Sequence, residues 1–341
     1  MKKPTISDVA EHAHVSKSTV SQFLNERFDY MREETRERIE KSIAELNYQP
    51  NVVARSLKLK STATIGVIVA NILHSFSTQV VRAIEDKLND NNFSTIICNA
   101  DDDPIKEKRY IETLLAKQVD GLIIFPTSGN IAVYQRLVDA NYPIVFVDRC
   151  VSGLSVDTVK LENHEAAGLA VEHLVMNGYE DIAIMTTSLD GDITPRVERV
   201  DGYKCALERF QKPVQEEYIK GKDRKFLKQE LAELFSLPKP PQAIISGNDL
   251  TLMEILEYAT ENGIKIGTDI GLVTIDEVAF AQVYHPSLTT VSQPTFEMGE
   301  KAADLLLNKF NSEKSIKSQI YNFTPSLIVR DSSKEVGVSH E

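Results

Sequence analysis

Tryptophan is absent from the 341-residue chain, so no indole face is available as a stacking platform, and Phe or Tyr would have to serve. Cysteine is scarce and odd in number: Cys98, Cys150 and Cys205 lie within or beside apolar segments. None forms a CxxC pair, which reads as reduced thiols of a cytoplasmic protein rather than a disulfide framework. HExxH and Cys/His clusters are missing too, so neither a metal nor any other cofactor is expected. No apolar run approaches the ~20 residues needed to span a bilayer. The opening MKKPTISDVAEHA carries basic residues but no apolar h-region, so no secretory signal is expected. GxGxxG, the P-loop GK[ST] and the GxSxG elbow are also missing, which counts against a Rossmann-like enzyme. A solute-binding protein of the periplasm would need the signal that is lacking.

The chain that remains is 42% hydrophobic, enough for two or three compact units with their own cores. Its net charge of −12 is unevenly spread. Residues 1–60 hold 11 Lys and Arg against 9 Asp and Glu, and the other 281 residues hold 27 against 41. A slightly basic head on an acidic body is compatible with nucleic-acid binding by the head alone.

The head shows three short helical patterns. "TISDVAEHA" opens with Thr5 as N-cap and Asp8 three residues on, a capping-box variant, and turns Ile6, Val9 and Ala10 inward. After a tight turn at His14 and Val15, Ser16 caps "KSTVSQFLN", with Val20 and Phe23 or Leu24 inward. "REETRERIEKSIAELN" places Ile39, Ile43 and Leu46 on one face. Helix, short turn, helix and supporting helix is the helix-turn-helix arrangement, whose second helix enters the DNA major groove. That aims Lys17, Ser18, Ser21 and Gln22 outward, where hydroxyls and an amide reach phosphates and base edges.

The runs "ISDVAEHA-x-VS-x-x-TVS" and "AELNYQPN-x-VAR-x-L" resemble the headpiece of the LacI–GalR family of bacterial transcription regulators, in family order. The resemblance implies a wider DNA-facing set: Thr5, Ser16, Thr19, Asn25, Tyr48, Asn51, Ala54, Arg55 and Leu57. Departures are His14 where glycine is usual, Gln22 where arginine is frequent, and Arg32 where a serine caps the third helix. Glutamine reads adenine bidentately and arginine prefers guanine, so Gln22 bears on operator preference. After Pro50, Val53, Ala54 and Leu57 make a helical face barely two turns long, marginal alone in water. In the family a leucine at the position of Leu57 is a minor-groove wedge, here flanked by Arg55 and Lys58.

From Ala63 onward, β-branched runs alternate with helical patterns: "ATIGVIVA", "STIIC", "DGLIIFP", "PIVFVD", then "DIAIMT", "AIISG" and "GLVTID". This is the βαβ rhythm of parallel sheets, repeated in two similar halves, so the fold class expected is α/β with two doubly wound lobes behind an all-α head. "SLTTVSQP" and "YNFTPSLIVRD" read as strands crossing back between lobes. Open α/β sheets bind ligands beyond the carboxyl ends of their strands. Those ends carry Ser75 and Phe76, Thr127, Asp148 and Arg149, Arg196, Asn248 and Asp276. Arginines, carboxylates and an amide in one place suit a polyhydroxylated or anionic small molecule.

Residues 62–330 resemble the effector-binding core of the same family, which is similar to periplasmic sugar-binding proteins. The resemblance implies effector contacts at Arg196, Asn248 and Asp276, with Phe76, Thr127 and Asp148 lining the cleft. It implies a headpiece over 1–49, a hinge helix over 50–61 and a core over 62–331. Within the core, an N-lobe of about 62–162 plus 293–322 faces a C-lobe of about 163–290 plus 323–331, and 332–341 is a disordered tail. The function expected is a non-enzymatic repressor of a carbohydrate-catabolism operon. It acts as a cytoplasmic, nucleoid-associated homodimer on a pseudo-palindromic operator, with no membrane partner. Two arginines at the cleft favour a sugar acid, such as gluconate or 2-keto-3-deoxygluconate, over a neutral sugar. A global carbon-catabolite regulator with a phosphorylated carrier protein as corepressor is the alternative within the family.

Overall fold

The computed structural model describes residues 4–49, 61–189, 193–311 and 317–334. The chain divides into two compact units, one ending at Ala63 and the other beginning at Thr64. The hinge positions Asn51, Ala54, Arg55 and Leu57 lie outside the described residues.

The first unit holds α1 (Ile6–His12), α2 (Lys17–Leu24) and α3 (Glu33–Glu45). The Thr5 N–H donates to the Asp8 carboxylate at 2.6 Å, closing the capping box of α1. His14 sits in the left-handed region at φ 51°. There its N–H donates to Glu11 and that of Val15 to Ala10, so the strained residue terminates α1. Ser16 accepts the Thr19 N–H at 3.1 Å and starts α2. Arg32 offers α3 no side-chain cap, but Glu33 and Glu34 in its first turn complement the helix dipole.

Val9, Ala10, Ala13, Val20, Ile39 and Tyr48 form the core of this unit. Tyr48 is a correction to the DNA-facing set: only 8% of it is exposed, and its ring completes the core. So small a unit has few large apolar side chains and buries the one that closes it.

The second unit begins with β1 (Thr64–Val69), α4 (Ser75–Asp90), β2 (Ser94–Asn99), α5 (Pro104–Ala116), β3 (Gly121–Ile124), α6 (Ile131–Asp139), β4 (Ile144–Val147) and β5 (Thr158–Leu161). It continues with α7 (Asn163–Met176), β6 (Ile182–Thr187), α8 (Thr194–Arg209), β7 (Ile219–Lys222), α9 (Leu227–Phe235), β8 (Ala243–Ser246), α10 (Asp249–Glu261), β9 (Gly271–Ile275) and β10 (Thr289–Ser292). It ends with α11 (Thr295–Asn311), β11 (Ile320–Phe323) and β12 (Ser326–Ile328). Two six-stranded sheets result, ordered β11-β5-β4-β3-β1-β2 and β12-β10-β9-β8-β6-β7. Among the described residues every strand pairing is parallel except β10 with β12.

"GLII", "IVFV" and "AIIS" are buried at every residue, as strands covered on both faces must be. In the N-lobe, Phe76, Val80 and Ile84 of α4 meet Met298 and Leu306 of α11 on one sheet face, and Ile111 of α5 meets Tyr134 of α6 on the other. In the C-lobe, α7 and α8 cover one face and α9 and α10 the other. A Cβ on Gly202 would come within 2.5 Å of the His164 carbonyl, so glycine is what lets α8 approach α7. Asn92, Asn141, Gly178 and Gly263 take positive φ just past helix ends, as their chain positions suggest.

The chain crosses between the lobes at 161–163, 292–295 and 323–326. Strands β5 and β7 are additions to the expected set. The start of the expected tail is also different: Ser332 and Ser333 are fully buried. The Ser332 hydroxyl donates to the Leu272 carbonyl at 2.6 Å, and Ser333 Oγ lies 2.8 Å from His173 Nε2. Polar partners on the C-lobe sheet and on α7 hold a segment whose own composition carries no structural signal.

Candidate functional site

The carboxyl ends of both sheets face a shared cleft of about 480 Å³, counting the part open to solvent. After β1, Asn71, His74, Phe76 and Ser77 enter its lining, and Phe125 follows β3. Phe125 meets Phe76 edge to face, with centroids 6.3 Å apart. After β4 come Asp148 and Arg149, and after β6 come Pro195, Arg196 and Arg199 on the first turns of α8. Asn248, Asp276 and Gln293 complete the wall after β8, β9 and β10.

The arginines are held from several sides. Arg149 Nη2 lies 2.7 Å from Asp102, its Nη1 donates to the Pro126 carbonyl at 3.1 Å, and its Nε is 3.6 Å from Asp148. Arg196 Nη2 reaches the same Asp102 at 3.3 Å, and its Nη1 donates to the Ser188 carbonyl at 2.9 Å. Two guanidiniums, one from each lobe, therefore meet on a single carboxylate. Burial pushes the Asp102 carboxyl up, but Arg149 and Arg196 outweigh it and leave it below its ordinary value. Burial and the neighbouring Arg149 lower Arg196.

Arg199 is 5% exposed, with Nε donating to Asn163 at 2.9 Å and Nη1 to the Gly247 carbonyl. Burial pushes Asp148 up against the pull of Arg149 and Arg199. It pushes Asp276 up to about 6, with Arg199 opposing. Gln293 donates to Asp276 at 2.5 Å, while its buried Oε1 has no hydrogen-bond partner among the described residues. The lining thus offers donors and acceptors side by side, which suits a molecule with several hydroxyls.

Asn248 caps α10 by accepting the Thr251 N–H at 2.9 Å and turns its amide toward Thr187. Asp249 faces the other lobe: it lies 2.6 Å from His74 Nδ1 and accepts the Ser75 N–H at 2.6 Å. Burial raises the Asp249 carboxyl, but His74 outweighs it and the net shift is downward.

Of the expected residues, Phe76, Asp148, Arg149, Arg196, Asn248 and Asp276 meet in the cleft. Ser75 and Thr127 do not. Ser75 uses its N–H on Asp249, and its hydroxyl accepts from Gln79 at 2.9 Å. Thr127 is buried with its hydroxyl on Glu107, in a cluster completed by Asn130 and Tyr134. The chain has turned away from the cleft two residues beyond Phe125. Sequence reasoning missed Arg199, His74 and Gln293. Arg199 had a usable signal, since it lies one helical turn beyond Arg196 on the same helix face.

In the head, Lys17, Ser18 and Gln22 are exposed on α2, and Ser21 and Thr19 are half-buried. Ser16 Oγ lies 2.6 Å from Ser18 and 2.8 Å from Thr19. Asn25 donates its amide to the Ser21 carbonyl at 2.6 Å, and Thr5 Oγ1 donates to Asp8 at 2.7 Å.

A helix-turn-helix head and a two-lobed core with a polar cleft define a ligand-responsive DNA-binding regulator. Residues 5–51 match the family of bacterial regulatory proteins of lacI type, and residues 62–326 match the periplasmic binding proteins and sugar binding domain of the LacI family. The chain belongs to the LacI family. It is 47% identical to the probable HTH-type transcriptional regulator EndR of Paenibacillus polymyxa, over 96% of this chain and 98% of that protein. It is 33% identical to the HTH-type transcriptional regulator KdgR of Bacillus subtilis, over 93% and 94%. The lac repressor dimer bound to operator and the anti-inducer ONPF superposes with a TM-score of 0.83 at 28% identity, covering 98% of this chain and all of that one. The protein is a transcription regulator and not an enzyme, and none of its described helices is long and apolar enough to cross a membrane.

Proposed function

We propose that this regulator is a homodimeric repressor of a carbohydrate-catabolism operon, acting on DNA in the cytoplasm, and that a sugar acid in the inter-lobe cleft controls it. One observation carries the effector class: Arg149 and Arg196 converge on the Asp102 carboxylate from opposite lobes. A carboxylate of the effector competes with Asp102 for this pair, since guanidiniums match oxyanions in forked geometry. Arg199, Asn248, Asp148, Asp276 and Gln293 receive its hydroxyls. Displacing Asp102 from Arg196 removes a contact between the lobes, so occupancy shifts their relative position by differential affinity. Two heads reach successive major grooves in only one spacing, and operator affinity follows.

Exposed Ile72, Leu73, Ile97 and Ile105 gather in sequence around β2, the sheet edge, and the Ile72 N–H is fixed to Asn99 at 3.1 Å. That unpaired apolar edge suits the dimer contact.

Calorimetric titration with D-gluconate, 2-keto-3-deoxygluconate, D-glucose and D-ribose tests the effector class. Binding of an acid with a Kd of about 100 μM or tighter is expected. Binding of a neutral sugar alone overturns the carboxylate assignment.

A further inference from the structure

Arg199 is held by a hydrogen-bond chain that leaves the cleft and ends on the other lobe. Its Nε donates to Asn163 Oδ1 at 2.9 Å. The same amide donates through Nδ2 to Glu198 Oε2 at 2.9 Å, and Glu198 Oε1 is paired with Lys160. Lys160 is the third residue of β5, in the N-lobe sheet, while Glu198 and Arg199 are on α8 of the C-lobe. Asn163 opens α7 just past the first crossing between lobes. It is 1% exposed, and the side chains of Lys160 and Glu198 are 12% and 20% exposed.

The chemistry makes this chain stiff. An asparagine amide has one acceptor and two donors, and here the acceptor takes Arg199 while the donors serve Glu198 and the Leu161 carbonyl. The Arg199 guanidinium is pinned at Nε by Asn163 and at Nη1 by the Gly247 carbonyl. Its place in the cavity is therefore set by atoms that never enter the cavity. A half-buried charge pair at the far end is costly to leave half-made, so Glu198 and Lys160 move together.

We propose that Asn163 is a positioning residue that aims Arg199 into the cleft, and that Glu198 registers Asn163 against Lys160 of the opposite lobe. Occupancy of the cleft is then transmitted to the lobe interface through Glu198. This rests on the proposed effector site, deepening it by naming how that site is read out. The coupling is a free energy between two sites, so the test must measure coupling and not only affinity.

Hydrogen exchange of the ligand-free full-length protein gives the first arm. Lys160→Met speeds exchange of the backbone at Leu161–Glu165 by about fivefold, and Lys160→Arg restores protection. Unchanged exchange in Lys160→Met overturns the proposal. The second arm uses D-gluconate and operator DNA. Asn163→Ala weakens gluconate binding by about tenfold. Asn163→Asp keeps the acceptor for Arg199 but repels Glu198, so it retains gluconate and loses the effect on operator. Glu198→Gln keeps gluconate affinity within about threefold and cuts gluconate's effect on operator affinity by about fivefold. A Glu198→Gln protein with an unaltered gluconate effect overturns the proposal. Failure of the wild type to bind gluconate counts against the effector class alone, and hydrogen exchange still decides the linkage.

Discussion

Asp148 and Asp276 occupy equivalent corners of the two lobes. Each directly follows the end of a parallel strand and takes a positive φ, 69° and 96°. Each donates its N–H to a neighbouring strand, Asp148 to Val159 at 2.8 Å and Asp276 to Val291 at 3.0 Å. A left-handed aspartate is strained, and its retention at both corners is the kind of cost that a ligand site sustains. Burial raises both carboxyls, and hydrogen bonds donated by a ligand's hydroxyls would favour their charged form.

Asp276 gives the molecule a pH dependence whose sign is fixed. Its carboxyl rises from 3.8 to about 6 on folding, so the charged form is disfavoured in the native state. The penalty is fully present above about 6 and fades as pH falls toward 3.8. At neutral pH it is on the order of 3 kcal/mol. Asp276→Asn is therefore expected to stabilise the ligand-free protein more at pH 7.5 than at pH 5, as read by thermal denaturation. A difference that is the same at both pH values contradicts the assignment.

Arg199 is expected to share effector binding with Arg149 and Arg196, since Asn163 and the Gly247 carbonyl hold its guanidinium at the cleft wall. Arg199→Ala weakens effector binding by about 100-fold, the loss of charge-assisted hydrogen bonds to a buried ligand. Operator binding without effector persists. Calorimetry and anisotropy on the same preparation check both halves.

Thr127 is expected to be a stability residue. Thr127→Ala leaves buried Glu107 one donor short and costs about 1–3 kcal/mol, seen in urea denaturation. Effector affinity changes by less than about threefold, since the hydroxyl faces away from the cleft. A large affinity loss without loss of stability returns Thr127 to the site.

The edge strand β2 gives a prediction on assembly. Ile97 is 43% exposed on it, and Ile97→Glu should convert a dimer to a monomer in sedimentation velocity while leaving circular dichroism unchanged. A dimer that persists places the contact elsewhere.

The fold was legible because parallel strands buried on both faces read as apolar runs, as "GLII" and "IVFV" do. Strands β5 and β7 escaped because "TVKL" and "IKGK" carry lysines, which Glu198 and Glu230 satisfy only in three dimensions. The strand-end rule found Asp148, Arg149, Asn248 and Asp276, whose positions depend only on where a strand stops. It misplaced Thr127, where the loop turns under Glu107, and missed Arg199, which lies inside a helix and depends on how α8 meets α7. Gln293 is set by the second crossing between lobes, a feature no local pattern encodes. Ser332 and Ser333 were unreadable for the same reason, since their partners are Leu272 and His173.

Operator binding as a function of salt and effector tests the central claim most directly. Full-length protein is titrated onto a pseudo-palindromic duplex by anisotropy at several salt concentrations, with and without D-gluconate. The expected result is affinity that falls steeply with salt, as phosphate contacts demand, and that gluconate changes by about tenfold or more. Leu57→Ala should weaken the same binding strongly while leaving gluconate affinity intact. Affinity indifferent to gluconate and to every acid and sugar tested contradicts an effector-controlled regulator acting through this cleft.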